Sequence, residues 1–176
     1  MIRLETNRLI LHNDTMDSEL EYQFFLESFS DEEYEQELLF NNGLINSELG
    51  KYFAIFKVIS KEYDSFIGYC KLLPRYFTSN ETWIINTQGD RAKWPSSLNV
   101  EISWKIFKDY QNEGFATEAS KAIIDYAFNT LNLGKVVAVT DINNIPSMKI
   151  MESLKMQIKI APNSSLAYGV VYNDKY

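Results

Sequence analysis

Ten consecutive residues, Tyr110-Gln111-Asn112-Glu113-Gly114-Phe115-Ala116-Thr117-Glu118-Ala119, combine one glycine, several small side chains and a change of hydrophobic period. Before them Leu98, Val100, Ile102, Trp104 and Ile106 alternate, which predicts a strand over Leu98–Phe107. After them Ala119, Ile123, Tyr126, Ala127 and Leu131 recur at helical spacing. A strand, a tight turn and a helix opening on small residues leave several N–H groups at a helix N-terminus without a carbonyl to meet. That geometry suits an anion, and phosphate in particular. A single glycine at such a junction is equally ordinary turn chemistry.

A second chemical candidate lies on the preceding strand. Glu101 falls on the face opposite Val100, Ile102, Trp104 and Ile106. An ionised side chain in a central strand is costly unless it faces a wet cleft or a partner. Glu101 is therefore either a working carboxylate or a structural one held by backbone or a basic side chain. Little else is available for nucleophilic or metal chemistry. Cys70 is the only cysteine and His12 the only histidine, so no disulfide, cysteine zinc site or His-centred triad is expected, and no metal.

Composition narrows the class. The chain has 176 residues, enough for one domain over 1–176 with its own core. No apolar run reaches membrane-spanning length, and Arg3 and Glu5 interrupt any leader-like stretch at once. A cytoplasmic, single-domain protein with no membrane partner is expected, as a monomer or a homodimer. The formal charge of −7 is unevenly distributed: residues 1–50 carry 12 acids and two bases, residues 51–176 carry 12 acids and 15 bases. No basic stripe is available to displace counterions, which argues against nucleic acid. The nine carboxylates between Asp17 and Glu37 are either a solvated helix face or a field that gathers a cationic ligand.

The elements that must position these residues follow from periodicity and punctuation. Ile2–His12 reads as one strand. Asp17–Glu27 and Asp31–Phe40 read as short helices, each with an aspartate N-cap. Tyr52–Ser60 and Phe66–Tyr76 read as a hairpin. Lys135–Thr140 is a short buried strand, Asn144–Lys155 a helix, and Met156–Ala161 with Leu166–Tyr172 a closing antiparallel pair. The order predicts an α/β (α+β) domain with a mixed sheet.

Five blocks in register resemble the GNAT acyl-CoA N-acyltransferase superfamily, closest to its ribosomal-protein N-terminal-alanine acetyltransferase type. They are Glu5–Leu11, Phe66-Ile67-Gly68-Tyr69, Glu101–Ile106, the turn at Gly114, and Thr140–Ser147 continued by Ile150–Leu154. The resemblance implies a mostly antiparallel sheet of about seven strands flanked by about four helices, with a splayed central strand pair. It implies acetyl-CoA as co-substrate and a primary amine as acceptor, a protein N-terminus or a small cationic amine. A non-catalytic acyl-CoA-binding module on the same fold is the alternative. The cofactor's diphosphate would lie on Gln111, Asn112, Glu113, Gly114, Phe115, Ala116 and Thr117, with the Glu113 carboxylate turned to solvent. Its pantetheine arm would lie along the backbone of Lys105, Ile106 and Phe107, with Val136–Thr140 as the other wall. Lys149 would meet a nucleotide phosphate or remain a solvated helix lysine. Glu101 matches the position of a general base, and Ser147 that of an acid for the departing thiolate. Asn144 would bond backbone or cofactor, although Asn144, Pro146 and Ser147 are also ordinary first-turn residues. Two departures from the type stand out: Leu154-Lys155-Met156 replaces its usual Leu-Gly-Phe, and Thr78–Ser97 is a long connector. In that connector Trp83, Arg91 and Trp94 would contact the acceptor, or the tryptophans would anchor packing.

Overall fold

The computed structural model describes residues 1–13, 48–75 and 99–175. They form β1 (Arg3–Glu5), β2 (Leu9–His12), β3 (Ala54–Ser60), β4 (Ser65–Arg75), β5 (Asn99–Ile106), α1 (Phe115–Asn129), β6 (Lys135–Asp141), α2 (Ile145–Ser153), β7 (Gln157–Ile160) and β8 (Leu166–Tyr172). The eight strands make one open sheet in the order β1-β2-β3-β4-β5-β6-β8-β7. It is mostly antiparallel, with β5 and β6 parallel. The helices expected at Asp17–Glu27 and Asp31–Phe40, and the Thr78–Ser97 connector with Trp83, Arg91 and Trp94, lie outside the described residues.

One expectation is corrected at the N-terminus. Ile2–His12 is not one strand but a hairpin, in which Arg3, Leu4 and Glu5 pair with His12, Leu11 and Ile10. Thr6 reverses the chain without glycine or proline. Its N–H donates to the Leu9 carbonyl at 3.0 Å, and its hydroxyl accepts the Leu9 N–H at 2.9 Å. Threonine hydroxyls can stand in for a backbone partner in this way. The consequence is positional, because the reversal presents Thr6 and Arg8 at the tip of the hairpin.

The chain divides into two compact units. The first comprises Met1–Leu72 and Trp104–Ile123. Its buried side chains include Leu9 and Leu11 of β2, Phe56 and Val58 of β3, Ile67 and Leu72 of β4, and Phe115, Ala119 and Ile123 of α1. The α1 residues recur at intervals of four, the spacing that puts them on one helix face. The β3–β4 register shifts between Val58 and Ile59, where Val58 faces Gly68 and Ile59 faces Phe66. A bulge of this kind bends its strand. Here it leaves the Ile67 carbonyl to accept the Phe107 N–H at 2.9 Å. Gly68 (φ +153°) lets the β5 backbone come close, since a Cβ there would overlap the Lys105 carbonyl oxygen.

The second unit comprises Leu73–Ser103 and Ile124–Tyr176. Strand β6 pairs with β8 along its whole length, from Lys135 opposite Tyr172 to Asp141 opposite Leu166. With β5 it shares a single register pair, Glu101 opposite Val137. Val137, Tyr168 and Val170 form a buried cluster flanked by Val139, Ala161 and Tyr172. Asn173 closes the α1–β6 connection, its side-chain amide donating to the carbonyls of Phe128 (3.3 Å) and Leu133 (3.0 Å).

Candidate active site

In the first unit the strand-to-helix turn enters the left-handed backbone region twice. Asn112 and Gly114 have φ of +64° and +82°, a region glycine enters freely and asparagine more readily than most residues. The Glu118 N–H reaches the Gly114 carbonyl at 3.0 Å and so begins the helical ladder. The N–H groups of Phe115, Ala116 and Thr117 precede that bond and have no intrahelical carbonyl within reach. Gln111, Asn112, Glu113 and Gly114 are exposed, while Phe115 is buried and anchors the helix start. A short 3-10 turn over Lys108–Tyr110 joins β5 to this segment. Rings brace it: Tyr63 lies 5.1 Å from Tyr110 and 6.4 Å from Phe115, and Phe66 meets Phe107 edge-on at 5.3 Å. The exposed Glu113 carboxylate accepts the Tyr63 hydroxyl at 3.3 Å.

The hairpin tip supplies a contact set to which sequence reasoning had assigned no role. Arg8 Nε and Nη2 both reach Glu118 Oε2 at 2.7 Å. Arg8 Nη1 donates to the Glu113 carbonyl at 3.1 Å, and its guanidinium lies 4.5 Å from the Phe115 ring centroid. The Thr6 hydroxyl (2.5 Å) and the Arg8 N–H (3.1 Å) donate to Glu118 Oε1. One available signal was that Arg8 is one of two bases among the first 50 residues.

Burial alone would raise the Glu118 pKa. The hydrogen bonds from Thr6 and Arg8 outweigh it, and the carboxyl lies below its ordinary value. A depressed carboxyl contributes stability above its unfolded pKa and loses it as pH falls through the folded one. Glu118→Gln should therefore flatten the acid limb of stability below about pH 4.3, by about 1 kcal/mol. Urea midpoints compared between pH 6 and pH 3 would show it.

Backbone parity on β5 sorts the residues expected to meet the pantetheine arm. Successive residues of a strand turn their N–H and C=O groups to opposite edges. The Phe107 N–H goes to Ile67 and the Lys105 carbonyl faces Gly68, so both residues are turned toward β4. Trp104 and Ile106 then present theirs to the other edge, where the Gln111 side chain donates to the Ile106 carbonyl at 2.8 Å. Cys70, fully buried in β4, has its thiol pushed up to about 12 by burial, far from a reactive thiolate.

In the second unit, Glu101 is half-buried on β5. Asn144 is the N-cap of α2, its side-chain oxygen accepting the Ser147 N–H at 3.2 Å. Ser147 sits half-buried in the first turn, and Lys149 is exposed one turn into the helix. Just before the cap, Asp141 accepts the Ser165 hydroxyl at 2.5 Å and the Asn143 N–H at 2.8 Å. These hold its carboxyl below the ordinary range, Ser165 contributing most. No group of three or more His, Cys, Asp or Glu among the described residues is arranged to hold a metal.

The chain is similar in sequence and in fold to known acetyltransferases. An uncharacterized N-acetyltransferase of Bacillus subtilis is 37% identical over 65 residues, 37% of this chain and 38% of that protein. The spermidine N(1)-acetyltransferase of Escherichia coli K12 is 24% identical over 106 residues, 55% of this chain and 57% of its own length. The match thus spans less than two thirds of either relative. In fold, the ribosomal-protein-S5-alanine acetyltransferase of Vibrio fischeri superposes with a TM-score of 0.70 at 16% identity, covering 100% of this chain and 99% of that one. The sequence profile described as "Acetyltransferase (GNAT) domain" matches residues 9–157, which takes in β2 through the start of β7, and the chain belongs to that family.

Proposed function

We propose that this chain is an acetyl-CoA-dependent N-acetyltransferase that acts on a primary amine by direct attack. The observation that carries the reading is the N-terminus of α1, where Gly114 opens the helix at φ +82° within the stretch matching the family. Aligned amides there, with the helix dipole behind them, favour a diphosphate. Gln111 fixes the approach to the turn, and Asn112 and Gly114 set its curvature. The N–H groups of Phe115, Ala116 and Thr117 are the donors, while Glu113 stays outside with Tyr63. The edge of β5 carrying the backbone groups of Trp104 and Ile106 holds the pantetheine arm. Lys105 and Phe107, turned to β4, support that edge from behind. Lys149 meets a phosphate at the nucleotide end.

Bound acetyl-CoA supplies an activated acyl carbon and a thiol leaving group. The chain's own residues manage the protons. At pH 7, making a lysine-like amine neutral costs about 4–5 kcal/mol, and an α-amine about 1. Glu101 takes the proton the amine loses, directly or through one water, as the C–N bond forms. Ser147 donates a proton toward sulfur as the C–S bond breaks, and Asn144 contributes by fixing the turn that carries Ser147. The acidic run from Asp17 to Glu37 favours a cationic acceptor, an N-terminal peptide or a polyamine-like amine. Names among the relatives, spermidine in one and ribosomal protein S5 in another, fall within that class.

Calorimetry with coenzyme A and thiol release from acetyl-CoA over an amine panel test the reading. Binding is expected, with turnover on at least one cationic amine about tenfold or more above neutral or anionic amines of similar size. Absence of coenzyme A binding removes the proposal. Binding without turnover on any amine leaves the non-catalytic module, and a preference for anionic acceptors removes the acceptor assignment.

A further inference from the structure

We infer that Arg8 is a positioning residue for the diphosphate: it neutralises Glu118 and braces the Glu113 carbonyl, so that the N-terminus of α1 can accept a doubly charged ligand. The inference rests on the proposed binding of coenzyme A. It concerns a problem the turn creates for itself. Two carboxylates flank the amides of Phe115, Ala116 and Thr117: Glu118 in the first turn of α1 and Glu113 two residues before the helix begins. A carboxylate in the first turn stabilises an empty helix by meeting its dipole. The same charge opposes an incoming diphosphate.

The hairpin at Thr6 resolves the conflict for Glu118. Both carboxylate oxygens are occupied, Oε1 by the Thr6 hydroxyl and the Arg8 N–H, and Oε2 by the Arg8 guanidinium. The side chain is thereby pulled toward β1–β2 and carries little net charge with its partner. The third nitrogen, Nη1, fixes the Glu113 carbonyl at 3.1 Å, on the peptide that leads into Gly114. A Cβ on Gly114 would lie 3.6 Å from Nη2, so the guanidinium is in contact distance of the turn itself. Stacking on Phe115 leaves it few alternative positions. Arg8 therefore acts through the turn, by charge and by shape, without being counted among its donors.

A mutant cycle read by calorimetry with coenzyme A separates this from simple loss of packing. Arg8→Ala should raise Kd about tenfold, since it frees a carboxylate beside the ligand and releases the Glu113 carbonyl. Arg8→Ala combined with Glu118→Gln should recover about threefold of that loss, because the freed charge is gone. A structural contact alone would leave the double variant no tighter than the single one. Should Arg8→Ala melt below the assay temperature, Arg8→Gln, which keeps length and an N–H donor, carries the same cycle. An unchanged Kd in either single variant, or no recovery in the double, overturns the inference. If the wild-type chain itself binds no coenzyme A, the functional proposal fails, and that result is read separately from the cycle.

Discussion

Glu101→Gln is expected to lower kcat about a hundredfold at pH 7 on a lysine-like amine while leaving the Kd for coenzyme A unchanged. Glutamine keeps the shape and a carbonyl oxygen but cannot take a proton. The pairing of Glu101 with Val137 is one of backbone register, which the substitution keeps. The deficit should depend on the acceptor's own acidity. For an α-amine, which is nearly half neutral at slightly alkaline pH, the loss should be smaller, about tenfold. With either amine it should narrow as pH rises toward the amine's pKa, because solvent then performs the deprotonation. A pH–rate profile for wild type and variant on both acceptors would show this convergence. Equal turnover of the two proteins at pH 6–7 would remove Glu101 from the proton path and return it to a structural role.

Much of what surrounds that glutamate could be read from periodicity. The alternation at Val100, Ile102 and Ile106 is the buried face of β5, and Ala119, Ile123 and Ala127 are the buried stripe of α1. The closing pair at 156–172 also forms, although β8 inserts between β6 and β7 in the sheet. Strand order escapes a periodicity argument because it is decided by long-range pairing, and adjacent strands in sequence need not be neighbours in space. The N-terminal hairpin escaped for a different reason. Its turn is made by the Thr6 hydroxyl, and an apolar residue on each side of the turn mimics one continuous strand. Helix ends were also read too long: Leu131 and Lys155 lie beyond α1 and α2, with Asn132 and Lys155 at φ of +53° and +57°.

The site shows the same division. Gly114 could be picked out because its residue type marks a turn, whereas Gln111 and Asn144 stood out only through the resemblance to the family's motifs. The Asn144 cap was open as an alternative to cofactor contact, and its oxygen is bonded to the Ser147 N–H. Arg8 and Glu118 could not be paired from spacing, because 110 residues separate them and each alone looks like a solvated charge. Likewise, no periodicity reveals which edge of β5 is committed to β4. That follows only once Ile67 is seen to take the Phe107 N–H.

Gly68 makes that commitment possible, and Gly68→Ala is expected to damage the first unit more than Gly114→Ala, whose Cβ would meet only Arg8 Nη2 at 3.6 Å. The new Cβ would overlap the Lys105 carbonyl oxygen, lie 2.8 Å from Ile106 Cα and 3.0 Å from Ile106 Cδ1. Two of these three atoms are backbone, which cannot rotate away as a side-chain end can. The φ of +153° adds strain that glycine does not experience. Overpacking and backbone strain together should cost about 3 kcal/mol or more, which for a chain of this size lowers Tm by about 6–12 °C. The relief available to the protein is to push Lys105 and Ile106 away from β4, breaking the Phe107 N–H to Ile67 bond and displacing the strand edge assigned to the pantetheine arm. Coenzyme A affinity should therefore fall along with Tm, in a variant whose substituted residue is not a proposed ligand of the diphosphate. Thermal melts with and without coenzyme A measure both effects at once. A variant with wild-type Tm would show that β4 and β5 do not approach as closely as the Gly68 contact requires. A destabilised variant with wild-type affinity would show that the Trp104–Ile106 edge does not carry the arm.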